Sequence, residues 1–275
     1  MNHCRIIAEI GINHNGNIDL AKEMIVKAKE CGCHYVKIQK RNPDDCVPEH
    51  QKQVLKDTPW GKMTYLEYKK KIEFSLEQVK ELENFSLENG IQFFASVWDF
   101  KSVDVMKQIS NELVKIPSAL ITDLELCAYA RRNFKKLIIS TGMSTEEEIN
   151  NCVKCCNPDV IMHTNSTYPC PIEDLNLQYI LHLKKEYPEK EIGYSGHELE
   201  TLTSVATTLY GVSWIEKHFT IDQTLWGSDQ KSSLNPEQMK RCCEDVLILE
   251  KATQYTPQDR ILFPRENIKK KTLRK

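Results

Sequence analysis

Charged side chains are costly in strand interiors, yet this sequence places them there repeatedly. Glu9, Lys37, Lys115, Glu216 and His218 all stand among β-branched and apolar residues, in RIIAEIGIN, YVKIQK, LVKIPS and WIEKHFT. Residues two apart in a strand share a face. Ile6, Ala8 and Ile10 then form an apolar face, and Ile7, Glu9 and Gly11 point the other way. The same alternation sets Lys37 and Gln39 against Val36 and Ile38. It turns Lys115, Ser140, Ser195, His197, Glu216 and His218 inward too. Lys217 falls in the outward set, where the scheme gives a lysine no partner.

A buried charge must be paired or liganded. Internal ion pairs are one outcome. Collection of the charges at one end of each strand points instead to a site. Two lysines and several hydroxyls suit a phosphate and a carboxylate. His197 and His218, on neighbouring strands, can reach one divalent ion whose remaining ligands are water or substrate oxygens. Glu9 is the leading acid/base candidate, with Glu216 as its rival or as a group orienting metal-bound water. Asn13-His14-Asn15-Gly16 reads as a turn.

Eight runs predict strands: 5–13, 35–40, 92–98, 113–118, 136–141, 160–167, 191–197 and 214–220. Helical patterns alternate with them, which argues for parallel strands joined by crossovers. Leu20, Met24, Ile25 and Ala28 give the first helix one apolar face. Ser144 to Glu147 reads as a capping box, and Asn235-Pro236 as the start of the last barrel helix. A closed (β/α)8 TIM barrel brings every strand end to one mouth, whereas an open sheet would scatter them. The expected organisation is a single catalytic barrel over 1–255, with an inserted excursion at about 41–91. A C-terminal extension, 256–275, ends in a basic tail that reads as solvated.

The 275 residues suit one such domain, and the formal net charge of −2 offers no field for nucleic acid or a membrane surface. No run approaches the roughly 18 apolar residues of a membrane span. The N-terminus lacks the pattern of a signal peptide. Eleven cysteines, including the Cys152/Cys155/Cys156 cluster, fall mostly inside helices and strands. They read as reduced thiols of a cytoplasmic protein, because the cluster has no second half for zinc.

Seven segments, in order, resemble the sialic acid synthase family: AEIGINHNG (8–16), VKIQ (36–39), KIPSALITD (115–123), LIISTGMST (137–145), NSTYPCP (165–171), IGYSGHE (192–198) and IEKHFT (215–220), followed by Asp229. The resemblance implies a barrel that condenses phosphoenolpyruvate with an N-acylated hexosamine such as N-acetylmannosamine, uses Mn²⁺ or Mg²⁺, and forms a homodimer. By position, Glu9 matches the catalytic glutamate. Lys37, Lys115, Ser118, Ser140 and Ser195 match phosphoenolpyruvate contacts, as do Ser96 (often Thr in relatives) and Ser166 (Asn in some). Gln39, Tyr168 and Asp229 match sugar-side positions, and His197 and His218 the metal ligands. Many members add an antifreeze-like C-terminal domain whose arginine reaches the partner subunit's sugar. These 275 residues do not include it, so either a separate antifreeze-like polypeptide closes the site as a partner or the barrel manages without that contact.

Two rivals stand beside this reading. One is another phosphoenolpyruvate-dependent ulosonate synthase, whose phosphorylated acceptor needs a second anion-binding cluster that the strand ends do not supply. The other is a non-catalytic barrel that binds sugar or phosphate.

Overall fold

The computed structural model describes residues 3–254 and 261–274. Ten strands run in chain order: β1 (Arg5–Gly11), β2 (Tyr35–Lys40), β3 (Leu55–Thr58), β4 (Gly61–Thr64), β5 (Gln92–Val97), β6 (Leu113–Ile116), β7 (Lys136–Ser140), β8 (Val160–Thr164), β9 (Glu191–Gly196) and β10 (Trp214–His218). Eight close into a parallel barrel of order β1-β10-β9-β8-β7-β6-β5-β2. β3 and β4 form a separate antiparallel hairpin within the excursion. The closed barrel and all eight of its predicted strands are therefore borne out. The hairpin was not foreseen.

The alternation read from β1 holds. Ile6, Ala8 and Ile10 join the large core between barrel and helices. Ile7 joins Phe94, Ile138, Val160, Met162 and Trp214 in a separate apolar cluster, which plugs the barrel interior. The polar inward residues lie above this plug, towards the C-terminal strand ends.

Local signals fare unevenly. Asn235 caps the helix Pro236–Ala252 as expected, with Gln238 completing the box. The other capping box sits one residue later than predicted. Thr145 pairs with Glu148, and Ser144 donates to the Gly142 carbonyl instead. Both hydroxyls have an acid three residues on, so spacing alone cannot choose between them. In the first helix, Ile18–Glu30, Ala21 takes the buried place assigned to Leu20, which is only partly buried. Asn13 to Gly16 does turn, with Asn15 and Gly16 at positive φ. A side chain at Gly16 would collide with the backbone of Lys71. The basic tail is exposed but not irregular, since Pro264–Leu273 is helical; Lys275 lies outside the described residues.

The structure also accounts for Lys217. It is fully buried on the helix side, and its Nζ donates to the Glu198 backbone carbonyl at 2.6 Å and pairs with the Glu198 carboxylate at 3.3 Å. Tyr194, Thr203 and Ser204 donate to the same carboxylate. Removing one partner of such a pair strands the other, so Lys217→Met is expected to cost about 3–5 kcal/mol. A shift of the urea midpoint would show this; a loss below about 1 kcal/mol would refute the burial argument.

All eleven cysteines are free. Cys152 packs against Cys127 and Cys156 with sulfur separations of 3.8 Å, as small apolar side chains do.

Candidate active site

Strand register brings the inward charges together. Glu9 aligns with Lys37 on one side and His218 on the other, while Glu216 aligns with Ser195. A register shift between Glu9 and Gly11 marks a bulge in β1, a device that re-aims a side chain near a site. Gly11 lies at φ +51°, and a Cβ there would press on the Glu9 carboxylate at 3.0 Å. The bulge and its glycine thus leave room for Glu9.

The result is a compact array of two cations and two anions. The Glu9 carboxylate pairs with Lys37 and accepts from Gln39 Nε2 at 3.1 Å. Glu216 Oε1 accepts from Lys115 Nζ at 2.7 Å and from Ser195 Oγ at 3.2 Å, with Lys37 Nζ 3.6 Å away. All four charged residues are buried. Burial resists ionisation of Glu216, but Lys115 and Lys37 outweigh it and hold the carboxyl down to about 2. Burial likewise opposes the Lys37 charge, yet Glu216 and Glu9 more than compensate and raise its pKa. For Lys115 burial prevails and the pKa falls. A carboxyl as acidic as Glu216 is a counter-ion at neutral pH and a poor proton acceptor.

Serine hydroxyls surround this array. Ser118 Oγ accepts from the Gly142 N–H at 3.1 Å. Ser140 Oγ is buried with no hydrogen-bond partner among the described residues. Gly142 is where Ser118 and Ser166 converge, because a Cβ there would collide with both hydroxyls. Ser96, Ser118, Ser140, Ser166 and Ser195 line a cavity of about 200 Å³ with Glu9, Lys37, Gln39, Lys115, Tyr168, His197, Glu216 and His218.

The imidazoles of His197 and His218 lie 5.4 Å apart between centroids, and Tyr168 packs 4.0 Å from the first. His197 Nδ1 is hydrogen-bonded to the Asn165 carbonyl at 2.6 Å, which leaves Nε2 as the nitrogen available to a cation. Burial first, and His218 second, press the His197 pKa down to about 3, so the ring is neutral as a ligand must be. His218 Nδ1 is buried without a hydrogen bond, 4.0 Å from the Asp229 carboxylate. Two imidazoles, one oriented and one with an unpaired nitrogen, fit a divalent cation. No group of three His, Cys, Asp or Glu side chains forms a ligand set among the described residues, so further ligands would be oxygens of substrate or water.

A second cavity of about 430 Å³ adjoins the first and shares Gln39, Trp98, Tyr168 and His218 with it. Asp229 lines this outer chamber. All fourteen site residues named from sequence therefore gather around two connected chambers. Others were missed, notably Arg41, Lys69 and Trp98. The Arg41 guanidinium stacks on Trp98 at 3.8 Å and donates to Gln39 Oε1. A larger hollow of about 680 Å³ opens where the strands begin. Lys136, Lys135 and Asp159 there are paired with Glu191, Glu112 and Arg131, and that face of a barrel serves stability.

Comparison with known proteins fits this geometry. The NeuB family model matches residues 24–257. The N-acetylneuraminate-9-phosphate synthase of Drosophila melanogaster is 37% identical over 242 residues, covering 86% of this chain and 65% of the relative. The N,N'-diacetyllegionaminic acid synthase of Campylobacter jejuni is 34% identical, covering 90% of this chain and 76% of that protein. This chain thus spans about two thirds to three quarters of the length of these relatives. The N-acetylneuraminic acid synthetase structure from Leptospira borgpetersenii, solved with citrate, superposes with a TM-score of 0.88 at 28% identity, covering 99% of this chain and 93% of that one. No helix among the described residues is long and apolar enough to cross a membrane. With closed barrel, clustered strand-end charges and family model in agreement, this chain belongs to the NeuB family.

Proposed function

We propose that this chain condenses phosphoenolpyruvate with the open-chain aldehyde of an N-acylated hexosamine, giving a nonulosonate and inorganic phosphate. The observation that carries the proposal is the buried array of Glu9, Lys37, Glu216 and Lys115, ringed by hydroxyls and adjoining two imidazoles. Two lysines offset by two glutamates leave little net charge for an incoming phosphate and carboxylate. The array therefore calls for a further cation, or for a proton on one glutamate, when that substrate enters. His197 and His218 would hold the cation, Mn²⁺ or Mg²⁺, and when bound it supplies Lewis-acid polarisation of an aldehyde oxygen.

The remaining steps fall to the chain's own side chains. Lys37, Lys115 and the serines hold phosphoenolpyruvate with its C3 facing the aldehyde carbon. The new carbon–carbon bond forms there, leaving C2 electron-poor and the aldehyde oxygen as an alkoxide. Water attacks C2, and one of its protons passes through Glu9 to that alkoxide. The C2–O bond to phosphate then breaks while the C2 hydroxyl gives its remaining proton to the departing phosphate, leaving a 2-oxo acid. Gln39 and Tyr168 meet the sugar where the chambers join. A homodimer, by family resemblance, and a cytoplasmic location, from the free cysteines, belong to the same proposal.

The test is phosphate release from purified protein supplied with phosphoenolpyruvate, Mn²⁺ and a panel of N-acylated hexosamines and their phosphates. Release that depends on the sugar is the expected result. Binding of phosphoenolpyruvate with no turnover across the panel would favour a non-catalytic binding barrel.

A further inference from the structure

The Glu9 carboxylate is held by a chain of side chains that begins outside its own chamber. Arg41 directly follows β2 and Trp98 directly follows β5, and the register that pairs Lys40 with Val97 sets the two side by side. The Trp98 N–H donates to the Lys40 carbonyl at 3.2 Å, and the Arg41 N–H donates to Glu73 Oε1 at 3.1 Å. With its backbone fixed, Arg41 lays its guanidinium 3.8 Å from the indole centroid and donates through Nη2 to Gln39 Oε1. Gln39 Nε2 in turn donates to Glu9 Oε1 at 3.1 Å. Of the two chambers, Arg41 lines the outer and Glu9 the inner, while Gln39 lines both.

The chemistry of the groups gives this chain its direction. A guanidinium only donates and an ionised carboxylate only accepts, so the carboxamide between them must turn its oxygen to Arg41 and its nitrogen to Glu9. The reversed amide would set NH2 against the guanidinium and its carbonyl against the carboxylate. A cation on the amide oxygen also polarises the group and strengthens its N–H as a donor. Gly11 leaves room for the bond itself, since a Cβ there would meet Glu9 Oε1 at 3.0 Å and Gln39 Nε2 at 3.3 Å. Lys37 pairs with the other oxygen, Oε2. Each carboxylate oxygen thus has its own cationic or polarised donor, and the plane of the group is set from two sides.

We propose that Arg41 is a positioning residue which, acting through the Gln39 carboxamide, keeps Glu9 oriented for its proton transfer. The kinetic consequence rests on the synthase reading; the relay itself does not. Without Arg41 the amide is free to flip, and Glu9 keeps only Lys37 to hold it. Trp98 serves the same end by fixing the guanidinium plane, a role that a lysine ammonium at position 41 would fill less well.

Steady-state kinetics with phosphoenolpyruvate, Mn²⁺ and the accepted sugar test the role. Arg41→Met is expected to lower kcat about 10-fold, the weight of one charge-assisted hydrogen bond, with KM for both substrates within about threefold of wild type. Arg41→Lys still brings a donor to Gln39 Oε1 and should recover part of the loss. In a Gln39→Leu background the relay is already cut, so Arg41→Met should cost less than about twofold more. A sugar KM raised about 10-fold with kcat kept would make Arg41 a sugar contact. Costs that multiply in the double variant would mean that it acts by another route, and either result overturns the proposal. Nuclear magnetic resonance decides the relay without turnover. The Gln39 side-chain amide signal, assigned by its loss in Gln39→Leu, should move in both Arg41→Met and Glu9→Gln. A signal indifferent to Arg41→Met would overturn the relay even in an active enzyme. A signal that moves in a protein inactive on every sugar would sustain the relay and sink the synthase reading alone.

Discussion

Glu9→Gln is expected to slow turnover by about 10²–10⁴-fold, the usual weight of a positioned acid or base, while phosphoenolpyruvate binding stays the same or tightens. Glutamine keeps the shape and can still accept from Gln39, so the bulge of β1 has no reason to move. What changes is charge. Lys37 loses its partner and the array becomes net positive, which favours a polyanionic substrate and disfavours proton transfer. Calorimetric binding of phosphoenolpyruvate and single-turnover phosphate release separate the two effects. A rate within about threefold of wild type would remove Glu9 from the proton-transfer role. A large fall in affinity with kcat intact would make it a structural counter-ion only.

The second large effect is expected at the imidazole pair. His218→Ala leaves a single histidine, and no other His, Cys, Asp or Glu group makes a set of three there among the described residues. Bound Mn²⁺, followed by electron paramagnetic resonance of the free ion, should weaken by at least about 10²-fold, since each ligand of a two-imidazole site carries a large share of the affinity. Metal-dependent turnover should fall with it. Unchanged Mn²⁺ affinity, or full activity in EDTA, would remove the metal assignment whatever the rate of the variant. His197→Ala gives the same comparison, and its loss also frees the Asn165 carbonyl that orients the ring.

How much of this could be read from residues alone follows from where each one lies. Glu9, Lys37, Lys115 and Glu216 were legible because a period of two in an apolar strand makes an inward charge conspicuous. Their pairing was not, since it depends on strand register: Lys115 meets Glu216 across 101 positions. Arg41 and Lys69 were illegible for a different reason. They belong to the excursion after β2, where short helices and a hairpin are held by packing on the barrel mouth. Lys69 reads as an ordinary surface cation in YKKK until the fold buries it. Lys217 was visible as an anomaly, but Glu198 became its partner only when β9 and β10 lay side by side.

That pair has a consequence for anyone who would engineer the barrel. Glu198 directly follows His197 and Lys217 directly precedes His218, so the outer face of the β9–β10 seam is locked by the neighbours of the two imidazoles on its inner face. Robustness and ligand spacing are therefore inherited together at this seam. Replacing a buried ion pair by well-packed apolar residues is a familiar way to gain thermal tolerance. Here the same exchange would loosen the gauge that sets one histidine against the other, and a hardier barrel would be a worse holder of the proposed cation.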